Sequence, residues 1–398
     1  MVRIPQFERE VVADGLTDGY WIQAVDLDGS GRPGLLTSGL AEGVVRWYAN
    51  PGWRAHTIAD LRQPVAFDAA DLTGNGLPDL VVCHEYGESM YAHKPDDGTI
   101  SWLRNPGTLD GEPWERRRVG KLVSAHRLRF GHFTRPQGLQ LLALPVVGSA
   151  GGRAGMEQPA DITVYEPPAE LLSDPEWTVA AVDADSFGVL HDYTPFGTDP
   201  QGRERLLVAS REGLSAYGWD DTSRTWAARP VGAGEQSQRD RTGWAGSSSV
   251  AVGTLASQGL RFAATLEPFH GNTVAVYVDP GDQSQWERTV LDVYGDPNEM
   301  GEGPGHHVVA ADFDGDGEDE FLVALRGPMP WQGVFCYKAV DAKAGLWTKR
   351  RVSADSAARI AVADFNGDGR LDFATISYYT PGYFLAEDPV VAVYRNLG

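Results

Sequence analysis

Short runs in which apolar and polar residues alternate, each bounded by Gly, Pro, Asn or Asp, recur from one end of the chain to the other. They predict β-strands rather than helices. The stretch "DFDGDGEDEFLVA" (312–324) is the sharpest case, with six acids and two glycines directly before an apolar strand. The same form begins at Asp26 ("DLDGSGRPGLLTSG"), Asp71 ("DLTGNGLPDLVVCH") and Asp364 ("DFNGDGRLDFATIS"), with weaker echoes from Gly131, Pro195 and Gly253. Seven copies spaced by 45 to about 65 residues mark an internal repeat.

A second marker has a matching count. An aromatic opens a short alternating segment at Trp53, Trp114, Trp177, Trp226, Trp286 and Trp347, so six of the seven turns have one behind them. The missing copy is "FEREVV" at Phe7, ahead of the first turn. Each unit therefore predicts four short strands: one before the acidic turn, one after it, a third such as "VVRWY", and an outer one opened by the aromatic. The predicted fold is all-β, a seven-bladed β-propeller of four-stranded blades spanning 1–398, closed by the N-terminal segment (about 5–13) completing the last blade.

The acidic turns pose an electrostatic problem. Asp312, Asp314 and Asp316 alternate in a tight turn and Glu320 follows, so four carboxylates converge and repel unless a hard cation joins them. Asp364, Asn366, Asp368 and Asp372 repeat the arrangement. Asp26, Asp28 and Ser30 lose the late acid to Gly34, and Asp71, Thr73, Asn75 and Asp79 are weaker still. All-oxygen ligand sets favour Ca²⁺, or Mg²⁺, in a structural role. These turns resemble the calcium-type loops of FG-GAP, or VCBS, repeat propellers.

Composition narrows the partners. Forty-seven Gly, 25 Pro and 42 % apolar residues suit a turn-rich β protein. A formal charge of −21 disfavours nucleic acid and anionic membranes as partners. The first residues lack the pattern of a secretory signal and no run reaches membrane-spanning length, so the expected location is cytoplasmic. Cys83 and Cys336 fall in distant blades, which argues against a disulfide.

The histidines carry the candidate chemistry. In a propeller the acidic turns mark one face. Of the nine histidines, His56 falls on an outer strand and His132 at a turn, whereas the other seven, His93 among them, fall on or beside the opposite face. Aligning the turns puts His126 and His306 at equivalent places near the axis. Neutral imidazoles from separate strands, with Glu85 or Glu267 nearby, supply the three or four ligands of a zinc-like site. Tyr20, Trp21, Arg127, Arg359 and Tyr378, with Tyr379, Tyr383 and Arg326, add aromatic platforms and donors suited to a polyhydroxylated ligand. Long connections at 85–99, 146–160, 232–247, 292–305 and 378–388 are expected to wall a pocket.

"GPGHHVVAADFDGDGEDEFLVALRGPMPWQGVFCYKA" (303–339), together with "GYWIQAVDLDG" and "VVCHEYGE", resembles the propeller part of aldos-2-ulose dehydratases, also known as 1,5-anhydro-D-fructose dehydratases. The resemblance implies a carbon–oxygen lyase that dehydrates a small keto-sugar by proton abstraction and β-elimination with help from a metal. Fungal members of that family carry a further cupin-type domain for a later isomerisation, so dehydration alone is the expectation here. The expected metal ligands, zinc favoured, are drawn from His84, His126, His270 and His306. His307 or His191 is expected to move protons and Arg326 or Tyr379 to orient hydroxyls, while Tyr20, Trp21, Arg127, Arg359 and Tyr378 contact the sugar. Two alternatives stay open: elimination of an aglycone from a 3-keto-glycoside, and a noncatalytic, calcium-stabilised glycan- or protein-binding propeller.

Overall fold

Strands that alternate in pattern need a second sheet against their apolar face, and this chain meets the need by stacking its sheets around an axis. The computed structural model describes residues 4–87, 89–111, 113–173, 176–281 and 284–398. Among them the strands form seven antiparallel four-stranded blades. Blade one runs from axis to rim as Trp21–Val25, Gly34–Ser38, Val44–Ala49 and Arg54–Asp60. The inner strands of blades two to six are Ala66–Ala70, Ala125–Gly131, Leu190–Thr198, Ser249–Leu255 and Gly305–Ala311. Blade seven contains Arg359–Ala363, Asp372–Ile376 and Val390–Asn396. Its rim strand is Phe7–Asp14 from the start of the chain, with Phe7 opposite Asn396. No helix among the described residues is long and apolar enough to cross a membrane.

The core lies between blades. Second strands such as Asp79–His84 and Glu320–Arg326 are buried along their whole length, because they have strands on both edges and a blade on both faces. Three rim tryptophans wedge a blade onto the one before it: Trp53 meets Phe365 at 6.0 Å between ring centroids, Trp286 meets Phe196 at 5.5 Å, and Trp347 meets Phe262 at 5.0 Å. Phe7 does the same for the last blade, 6.2 Å from Phe313. Cys83 and Cys336 are both buried free thiols.

The acids of these turns also organise their own backbone. The first acid folds the turn onto itself: Asp312 accepts N–H groups from Gly315, Asp316 and Gly317, and Asp364 accepts those of Gly367, Asp368 and Gly369. Asp26 likewise accepts from Ser30 and Gly31, and Asp28 from Ser30. The late acid points back to the start of its own turn. Glu320 accepts from Phe313 and Asp314, Asp372 from Phe365, and Asp79 from Leu72 and Thr73. Asn366 and Asp368 in turn accept the N–H groups of Asp368 and Arg370. In blade one this acid is Gly34, and the space is filled by Trp47, whose ring stands 2.5 Å from where a Cβ on Gly34 would lie.

In blade six an internal cation completes the balance. Asp312, Asp314 and Glu320 offer oxygens within 4.8 Å of one another, close enough to hold an ion. The Lys338 ammonium stands among these acids, 2.6 Å from Asp314, 2.6 Å from Asp316 and 2.8 Å from Glu320. Lys338 thus shares this acidic group, whose arrangement could also hold the cation that the sequence pattern leads one to expect.

A repeated asparagine then joins the turns of neighbouring blades. Asn50 donates to the carbonyls of Pro33 and, in blade seven, Phe365; Asn105 reaches Pro78 and Leu27 of blade one; Asn396 reaches Leu371 and Phe313 of blade six.

Replacing Lys338 by Met leaves three carboxylates without their cation. The variant is expected to lose about 3 kcal/mol in chelator, and millimolar Ca²⁺ should restore much of the loss while changing the parent protein little. Thermal denaturation with EDTA or Ca²⁺ checks this. A Lys338→Met variant as stable as the parent in EDTA would contradict the role given to the lysine.

Candidate functional site

At the axis each inner strand contributes one side chain per layer. The ladder register makes Trp21, Ala66, Arg127, Asp192, Ser249, His307 and Arg359 equivalent. The residues one step earlier are Tyr20, Val65, His126, His191, Ser248, His306 and Ala358. Successive residues of a strand face opposite ways, so the two sets form stacked rings. In three strands the upper residue is the extra residue of a β-bulge: the register skips His126, His191 and His306. A bulge re-aims a side chain without disturbing the strand beyond it.

His191 and His306 meet His270, which follows the second strand of blade five and holds a left-handed backbone (φ 41°) that costs a non-glycine residue about 1–3 kcal/mol. Ligand nitrogens of these three residues lie within 4.8 Å of one another, and all three side chains are buried. Their tautomers are set from outside. His191 Nδ1 is 2.8 Å from the Ser248 carbonyl and His306 Nδ1 bonds to that of Ala358, so both Nδ1 atoms carry the proton. His270 Nδ1 faces Glu302 at 3.4 Å. Each Nε2 is therefore a lone pair directed inward. Those of His191 and His270 stand 3.1 Å apart, and that of His306 has no hydrogen-bond partner among the described residues. Lone pairs meeting in this way repel unless a cation lies between them, and the outer carbonyls and carboxylate are the partners that metal-ligating histidines usually have. The triad could hold a divalent metal. Burial, together with their mutual proximity, pushes His191 and His306 well below the ordinary histidine range, as the neutral ligand form requires.

Glu302 and Tyr383 form the next layer. Glu302 is buried and receives Arg326 Nη2 at 2.8 Å and the Tyr383 hydroxyl, while Arg326 Nη1 donates to the Tyr383 oxygen at 3.0 Å. Burial opposes ionisation of Glu302, but His270 and Arg326 outweigh it and hold the carboxyl below its usual range. Across the cavity, Arg127 Nη1 donates to His126 Nδ1 at 2.7 Å. That places the His126 proton on Nε2, which is 2.8 Å from the Tyr20 hydroxyl. Tyr20, Tyr86, Met90, Tyr91, Phe269, Tyr378 and Tyr383 line the space above, whose volume is about 40 Å³.

The structure groups the expected residues in a different way. His84 lies apart, its Nε2 held by Ser101 at 3.0 Å, and His126 is engaged at both ring nitrogens, so His191 stands with His270 and His306 in place of these two. His307, Trp21, Arg127 and Arg359 face the lower ring, away from the histidine cavity. Tyr379 pairs its backbone with Gly19, leaving its neighbours Tyr378 and Thr380 to line the cavity. Arg326 lies behind Tyr383 and Glu302 rather than on the cavity wall. Glu85 bonds to Thr99, and Glu267 to Arg288, Tyr277 and Thr265, so neither joins the triad. Glu302 was missed. Its only sequence signal is an acid four residues before His306 in a long loop.

Residues 97–280 match the family model described as aldos-2-ulose dehydratase, beta-propeller domain. Aldos-2-ulose dehydratase of Phanerodontia chrysosporium is 36 % identical over 99 % of this chain, and the chain spans 46 % of that relative's length. Among solved structures, BBS1N in complex with ARL6DN is similar in fold, with a TM-score of 0.55 at 13 % identity, covering 98 % of this chain and 96 % of that one. The chain is a seven-bladed β-propeller that resembles the propeller domain of aldos-2-ulose dehydratase.

Proposed function

We propose that the chain is a carbon–oxygen lyase that removes water from a keto-sugar such as 1,5-anhydro-D-fructose or an aldos-2-ulose. The observation that carries this reading is the convergence of three outward-anchored histidines, with lone pairs inward, at the floor of a tyrosine-lined cavity. The name of the relative supports it. A divalent transition ion, zinc in the first place, held by His191, His270 and His306, would act as a Lewis acid on the ketone and acidify the neighbouring C–H.

The remaining steps belong to the protein. Tyr383 is placed to relay the C–H proton: as its oxygen takes that proton its own hydroxyl proton passes to Glu302, the carboxylate that His270 and Arg326 keep ionised, and after water leaves this proton returns through solvent to the Tyr20 phenolate. Arg326 fixes both groups. On the opposite side Tyr20 gives a proton to the departing β-hydroxyl, which leaves as water, and His126 Nε2–H steadies the phenolate that remains. Tyr86, Phe269 and Tyr378 offer faces for the C–H side of the ring. A space of about 40 Å³ is far smaller than a pyranose, so substrate entry requires the 85–99 and 378–388 loops to move apart.

Incubation of metal-replete protein with glucosone and with 1,5-anhydro-D-fructose should raise an enone absorbance in the ultraviolet. Silence with both would sink the dehydratase reading, and release of an aglycone from a 3-keto-glycoside would replace water loss with glycoside elimination. His306→Ala and His270→Ala should each bind less than a tenth of the zinc of the parent in elemental analysis, with unchanged far-ultraviolet circular dichroism. His84→Ala should keep its full metal content. Tyr383→Phe is expected to lower kcat by about a hundredfold or more at unchanged zinc content. Near-normal turnover would remove Tyr383 from the proton path.

A further inference from the structure

Below the histidine floor the lower ring opens into a channel of about 460 Å³ along the axis. The charges in that ring do not balance. Arg127 and Arg359 face a single carboxylate, Asp192, and its oxygens are already taken by Arg127 Nε at 3.0 Å and by the Ser249 hydroxyl at 2.7 Å. The Arg127 side chain is only 4 % exposed, and its Nη2 finds no acceptor among the described residues. Arg359 stacks on the Trp21 indole at 4.0 Å, and neither its Nε nor its Nη1 meets an acceptor among the described residues. The Ile360 N–H occupies His307 Nδ1 at 3.2 Å, so the proton of the neutral ring sits on Nε2.

The next layer adds little free negative charge. Arg129 pairs with Glu204 at 2.7 Å, and burial pushes the Asp68 carboxyl, which accepts the N–H groups of Phe130 and Ala69, above its usual range and so towards the neutral form. Burial and the charge on Arg127 pull the Arg359 guanidinium down to about 9, the signature of crowded like charges. Leaving charged donors unpaired inside a protein costs far more than an ordinary lost hydrogen bond.

We infer that this ring is a binding site for a small inorganic anion, a halide or an oxyanion, held between Arg127 Nη2, Arg359 Nε and Nη1, and His307 Nε2–H. The site is distinct from the cavity above and does not depend on the lyase reading. Arg127 connects the two levels, since the same guanidinium sets the tautomer of His126. Anion binding steadies that link.

Crystals of the full chain grown in bromide should show an anomalous peak in the channel beside Arg359 and His307. In solution, bromide or phosphate should raise Tm by about 3 °C over gluconate at equal ionic strength. A response to bromide assigns a halide and one to phosphate alone assigns an oxyanion; both support the site. Arg359→Leu should abolish the response and, in gluconate, be no less stable than the parent, because a like charge has gone. His307→Gln provides a second variant and should weaken anion binding about tenfold. A channel free of anomalous density, or an anion response unchanged in both variants, would overturn the inference.

Discussion

Seven inner strands ending at one axis leave room for one side chain per strand in each layer, and this limit governs the chemistry of the molecule. Residues far apart in sequence, such as His191 and His306, become neighbours because their strands deliver them to the same level of the axis. The bulges at His126, His191 and His306 then decide which face of the ring each imidazole joins. Without that extra residue, the period-two alternation would carry the side chain one step further round the strand.

Burial raises the stakes at both levels. The upper level contains neutral imidazoles whose hydrogens are tied to backbone carbonyls, Glu302 or the Tyr20 hydroxyl, and the lower ring contains guanidinium groups with too few acceptors among the described residues. A low-dielectric surround strengthens every correct pairing and penalises every missing one. Polar groups this deep set strict conditions on what can share their space.

Much of the architecture was legible in the sequence, because the acidic turn and the rim aromatic are local signals that recur once per blade. The wedge contacts of Trp53, Trp286, Trp347 and Phe7 explain why an aromatic is needed there. The site was legible only in part. The gathering of histidines on one face could be read from strand order, and His270 and His306 could be placed. Whether His84 or His191 joins them depends on a bulge and a hydrogen bond to Ser101, neither of which leaves a pattern in a single sequence. Glu320 and Asp372 have the spacing of cation ligands, but that they also accept backbone N–H groups, and that Lys338 enters from another strand, leaves no mark in the turn itself.

The three asparagine bridges run from blade two to one, from one to seven, and from seven to six. They tie together the arc that contains both chain ends, so the place where the polypeptide is discontinuous lies amid the most regular repeats. The weak turns and two of the long connections, 146–160 and 232–247, lie in the opposite arc, blades three to five. The ring therefore has a rigid clasp and a variable front, and sequence change can accumulate at the front without loosening the clasp.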